Sequence, residues 1–165
     1  MLSTLLTVIA LCPGAAQMPN EANIPLIRSA TLCLINRERK VYRKHLLREN
    51  LRLEWAAQKQ SLKIVSEGCC CADSRDLAQS VFEVNYIYLG ELWMIGENIA
   101  CSTLSLATPA AIVSGWLSST THRANILGPD FRDSGIGVVP AVPTQLADGQ
   151  LGATYTQDFG VRIHG

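Results

Sequence analysis

What this sequence lacks narrows its reading. Fourteen lysines and arginines are matched by fourteen aspartates and glutamates, so there is no net charge at neutral pH. That removes any global electrostatic argument for binding nucleic acid. There is no G-x-S-x-G turn, no H-E-x-x-H helix, no phosphate-cradling glycine loop and no nucleic-acid motif. No C-x-x-C pair occurs, which leaves a zinc knuckle or thioredoxin-type motif unsupported. Histidine is scarce, at three residues. Past the amino terminus, no apolar run approaches the roughly 18–20 residues a membrane span needs. Internal repeats and low-complexity segments are also missing.

What is present suits one folded domain with a short leader. Hydrophobic residues make up 48% of the 165 and charged residues 17%, enough apolar side chain for a core. Residues 1–16, apolar and ending in Pro13-Gly14-Ala15-Ala16, read as a secretory signal peptide cleaved after Ala16. Residues 17–25, with Pro19, Asn20 and Pro25, read as a linker, and the domain is expected over 26–165. Such cleavage would remove Cys12 and leave Cys33, Cys69, Cys70, Cys71 and Cys101. That odd number implies a free thiol or a bond between chains.

Helical spacing of Ile27, Ala30, Leu34 and Val41 predicts a first helix. Arg37, Arg39, Lys40, Arg43, Lys44, Arg48 and Arg52 concentrate half of the basic residues there and just beyond. They read as a solvated outer face or as contacts for an anionic partner. A second helix is expected over Arg52–Glu67, burying Leu53, Ala56, Ala57, Gln60 and Ile64 and stopping at Gly68. A short helical piece is expected from Asp76 to Val84, then a loop from Tyr86 to Met94. Strands are expected at Ile95–Cys101, Gly135–Val139 and Ala153–Phe159, with a helix opening at Thr108-Pro109. The order helix, helix, strand, helix, strand, strand is not a βαβ repeat. It predicts an α+β fold, helices flanking a small antiparallel sheet.

Three segments carry a resemblance: GWLSSTTHRANILGPDFRDSGIGVV from Gly115 to Val139, GENIA from Gly96 to Ala100, and YTQDFG from Tyr155 to Gly160. With the opening CLINRER and LRENLRLEWAAQKQS, they resemble the bacterial branch of the CAP superfamily. That superfamily comprises cysteine-rich secretory proteins, antigen 5 and pathogenesis-related class 1 proteins. The resemblance covers about residues 27 to 162 and implies an α-β-α sandwich. It also implies a cleft lined by two histidines and acidic residues, able to hold a divalent metal such as zinc. By motif, Glu97 takes the glutamate place and His122 the second histidine place. The first histidine is missing: Gly68-Cys69-Cys70-Cys71-Ala72 stands there instead. Cys71 is a candidate replacement ligand. A disulfide from Cys33 or Cys101 to the triplet, or buried reduced thiols, are the plainer readings. His122 is alternatively a cap for the helix ending near Ser119. Asn125 is expected to satisfy backbone groups in its own turn, and Gly135 and Gly137 to allow close backbone approach.

The resemblance implies a secreted, extracellular binding module without confident catalytic residues, taking a lipid, a cell-wall glycan or a protein surface. The alternative is a metal-dependent hydrolase or peptidase using Glu97 and His122. A third reading is a scaffold with a degenerate site. One fold serves all three, so residues rather than architecture must decide.

Overall fold

The computed structural model describes residues 12–68 and 75–163. In chain order the elements are α1 (Ile24–Val41), β1 (Arg48–Glu49), α2 (Leu51–Glu67), α3 (Leu77–Glu83) and β2 (Leu92–Thr103). A 3₁₀ turn (Leu104–Ala107) leads to α4 (Pro109–Ser118), α5 (Thr120–Ile126), β3 (Asp133–Val139), α6 (Thr144–Ala147) and β4 (Gly152–Ile163). The sheet order is β1-β3-β4-β2. Helices α1 and α4 cover one face, where Ile27, Ile35, Trp116, Ile136, Tyr155 and Phe159 share the larger core. Helices α2 and α3 cover the other, over Leu53, Val81, Tyr86 and Ile87. This is the expected α-β-α sandwich.

The second helix follows its sequence signals closely. Asn50 caps it, its side-chain oxygen accepting from the Arg52 and Leu53 nitrogens at 3.0 and 3.3 Å. Gly68, at φ 78°, ends it in the left-handed conformation. The predicted stripe of Leu53, Ala56, Ala57, Gln60 and Ile64 is buried. Gly135 and Gly137 let the helix backbone lie directly on β3. A Cβ on Gly137 would stand 2.3 Å from the Ala57 carbonyl carbon.

The first helix corrects two expectations. Val41, placed in the buried stripe, is 71% exposed. Arg39, assigned to an outer basic face, is fully buried. Its Nε donates to the His45 carbonyl at 2.7 Å, and its Nη1 to those of Ile126 and Gly128 at 2.6 and 3.0 Å. Nη2 donates to Phe131 O at 3.2 Å. A buried guanidinium is tolerated when its donors are satisfied in this way.

The sheet is antiparallel through β3, β4 and β2, but the two-residue β1 runs parallel to β3. The Asn36 amide holds this edge by exchanging hydrogen bonds with the Leu47 backbone. Strands β2 and β4 outrun their predicted ends because they pair continuously from Leu92↔Ile163 to Thr103↔Gly152. Leu92, Trp93 and Met94 are therefore strand, not loop.

Residues ahead of 26, read as the end of a leader and a linker, also pack onto the core. Cys12 forms a disulfide with Cys33, and Cys12 and Ala15 are fully buried. The Ala15 carbonyl accepts from the Ala110 nitrogen at 2.9 Å, satisfying an orphan donor in the first turn of α4. Cleavage after Ala16 would therefore remove a core segment and half of a disulfide. Cys33 pairs with Cys12 rather than with the triplet, and Cys101 is disulfide-bonded as well. Among the described residues no cysteine is free.

Candidate functional site

Strand register builds the acidic part of the cleft. Glu97 on β2 stands directly opposite Asp158 on β4, so both side chains leave the sheet on one face. That face belongs to α2, and Asp158's other neighbour across the sheet, Gly135, has no side chain. The cation comes from Arg75, just before α3. Its Nε donates to Glu97 Oε2 at 2.8 Å, and its Nη2 reaches both Glu97 Oε2 and Asp158 Oδ1. Its Nη1 donates to the Ala56 carbonyl at 3.1 Å. The Arg75 and Glu97 side chains are 7% and 13% exposed, and Asp158 is fully buried. Asp158 Oδ2 is buried without a hydrogen-bond partner.

Burial dominates the proton affinities. It pushes the Asp158 carboxyl up to about 8, with Glu97's charge adding to the shift and Arg75 opposing it. Burial also raises Glu97, again against Arg75. The His122 imidazole is held below its usual value by burial.

His122 lies on α5, not at the cap of α4. Its carbonyl accepts from the Asn98 side chain at 3.2 Å. Asn125 bonds across to β2 rather than within its own turn: its Nδ2 donates to the Glu97 carbonyl at 2.8 Å and to Asn98 Oδ1 at 2.9 Å. Two asparagines thus stitch the HRANIL turn to the GENIA strand. Asn98 and Glu97 are successive strand residues whose side chains leave opposite faces. Among the described residues, no hydrogen bond or ion pair joins Glu97 to His122. The third proposed ligand, Cys71, lies outside the described residues. Among those described, no group of three or more histidine, cysteine or acidic side chains is placed to hold a metal ion.

Sequence reasoning missed Arg75 and Asp158. The available signal was alternation in YTQDFG: Tyr155, Gln157 and Phe159 on one face leave Asp158 on the other. A carboxylate on a strand covered by helices needs a cation, and Arg75 supplies it.

A second feature is a groove of about 960 Å³ between α1 and α4. Leu34, Val41, Ala110, Val113 and Leu117 give it an apolar lining, and Arg37, Lys40 and Arg123 bring three cations against Glu38. Arg37 Nη1 is buried there without a partner. Arg123 is steadied by Tyr42, its Nη2 donating to the phenol oxygen at 2.6 Å.

Comparison with known proteins places the fold. The chain is 38% identical over 64 residues to the uncharacterized protein YkwD of Bacillus subtilis, a match spanning 39% of this chain and 20% of that one. An extracellular SCP-domain protein from Bacillus anthracis superposes with a TM-score of 0.64 at 23% identity, over 86% of this chain and 43% of the other. An outer surface protein from Borrelia burgdorferi gives 0.63 at 16% identity, over 88% and 96%. These likenesses show a shared fold, and the chain spans less than half the length of the two bacillus proteins. A family model matches residues 32–157, and the chain accordingly belongs to the CAP, or cysteine-rich secretory protein, family.

Proposed function

We propose that this chain is a secreted, non-catalytic binding module whose ligand is an amphiphile, an acyl chain bearing an anionic head group. The groove between α1 and α4 carries the reading. Its apolar lining is open to a hydrocarbon chain, and each buried methylene contributes about 0.8 kcal/mol. Arg37, Lys40 and Arg123 stand where a carboxylate or phosphate head would lie, and guanidinium groups pair well with both. Of the ligand classes the family resemblance implies, this lining favours lipid over glycan or protein. The Cys12–Cys33 disulfide fits an oxidising, extracellular setting. The hydrolase reading needs Glu97 as a base or metal ligand, and Arg75 already engages that carboxylate.

The test is titration of delipidated protein with a fluorescent long-chain fatty acid. Ser114 lines the groove from an exposed position, so Ser114→Trp fills it without disturbing the core. Saturable binding by the wild type is expected, weakened about tenfold or more by Ser114→Trp, or about 1.4 kcal/mol. Arg37→Ala is expected to weaken the acid more than the corresponding uncharged alcohol. No wild-type binding, or equal binding by Ser114→Trp, would contradict the assignment.

A further inference from the structure

We infer that Arg75 is a built-in counter-ion, occupying with its guanidinium the place a divalent metal would take between Glu97 and Asp158. Among the described residues, the donors do not fit the metal that the family's cleft implies. Three guanidinium nitrogens are committed, two to the carboxylates and one to the Ala56 carbonyl. With its side chain 7% exposed, Arg75 is walled in rather than draped over the surface. Arginine keeps its charge under all ordinary conditions. A metal ion seated on Glu97 and Asp158 would therefore meet a fixed positive charge at close range, where little water screens it.

The donor set supports the same reading. Among the described residues no third histidine, cysteine or acidic side chain joins the two carboxylates. His122 is tied by its carbonyl to Asn98, on the strand face opposite Glu97. The orphaned Asp158 Oδ2 shows that the pair keeps acceptor capacity beyond what Arg75 uses. Removing the guanidinium should free two converging carboxyl groups, an all-oxygen pair that suits calcium once Asp158 gives up its proton. This inference stands apart from the amphiphile groove, which lies on the other side of the sheet.

The experiment titrates zinc, then calcium, into chelator-stripped full-length protein, with melting temperatures read in chelator and in metal. The proteins are wild type, Glu97→Gln, Arg75→Ala, Arg75→Gln and the double variant Arg75→Ala with Asp158→Asn. Wild type and Glu97→Gln are expected to behave alike, with no ion held at Glu97. Arg75→Ala and Arg75→Gln are expected to gain one saturable ion per chain and a metal-dependent rise in melting temperature. The double variant is expected to lose both. A clamp that serves stability alone would lower the melting temperature without this gain. Folded Arg75 variants that bind no ion would overturn the inference, as would wild-type binding abolished by Glu97→Gln. If an Arg75 variant folds only with metal, that refolding supports it. If neither Arg75 variant folds in either condition, the comparison of wild type with Glu97→Gln decides the exclusion alone.

Discussion

Gly135 lies so close beneath α2 that a Cβ on it would stand 2.0 Å from the Glu54 backbone nitrogen. Backbone atoms of a packed helix cannot step aside as a flexible side chain can. Gly135→Ala should therefore destabilise by about 3 kcal/mol or more, at the upper end of overpacking effects. Gly115 provides the opposite sign: it sits within α4, and a Cβ there meets nothing within 4 Å. Gly115→Ala should stabilise by about 0.5–1 kcal/mol. Urea unfolding of both variants checks the pair.

The Cys12–Cys33 bond closes a sequence separation of 21 residues. A cross-link of that span is worth about 3 kcal/mol in the chain-entropy picture. Cys12→Ser should lose about that amount. A chain starting at Gln17 should lose more, since it also gives up the Ala15 carbonyl that caps α4. Melting of both forms tests the effect. The mass of the protein recovered from culture medium shows whether its amino terminus lies before Cys12.

Arg39 donates to four backbone carbonyls from a fully buried position. Arg39→Met should strand those carbonyls and cost about 3 kcal/mol or more. Arg39→Lys should not restore the loss, because an ammonium cannot reproduce the planar fork. Comparing their urea midpoints separates charge from geometry.

Asp158 gives the fold a pH dependence. Its carboxyl is pushed up to about 8 from an ordinary value of 3.8, so the folded chain holds the proton more tightly than the unfolded one. The stability this group supplies is complete below about pH 4 and is lost as pH rises through about 8. The slope is negative across that window, at most about 1.4 kcal/mol per pH unit. Asp158→Asn should flatten it, and urea midpoints taken between about pH 5 and pH 8 read the change.

The layers were legible from the sequence because periodicity reports burial directly: Leu53, Ala56, Ala57, Gln60 and Ile64 lie where their spacing put them. Gly68 marks the end of α2 through local backbone chemistry, while the Asn50 cap at its start went unread. Arg39 was misplaced because three of its four acceptors, the carbonyls of Ile126, Gly128 and Phe131, are about ninety residues away, and no local pattern records them. Arg75 escaped for the same reason, since only the β2–β4 register puts Glu97 beside Asp158. Motif matching named Glu97 and His122 singly. It could not show that the strand pleat sends the Glu97 carboxylate away from Asn98, which holds the His122 carbonyl. The groove belongs to two helices distant in sequence and has no signature of its own.

One fatty-acid titration sets the groove against the cleft, comparing Ser114→Trp with Glu97→Gln and His122→Ala. Ser114→Trp is expected to lose binding while both cleft variants keep the wild-type affinity. Binding retained in Ser114→Trp but lost in folded Glu97→Gln or His122→Ala would contradict the groove assignment, and would return the function to the cleft.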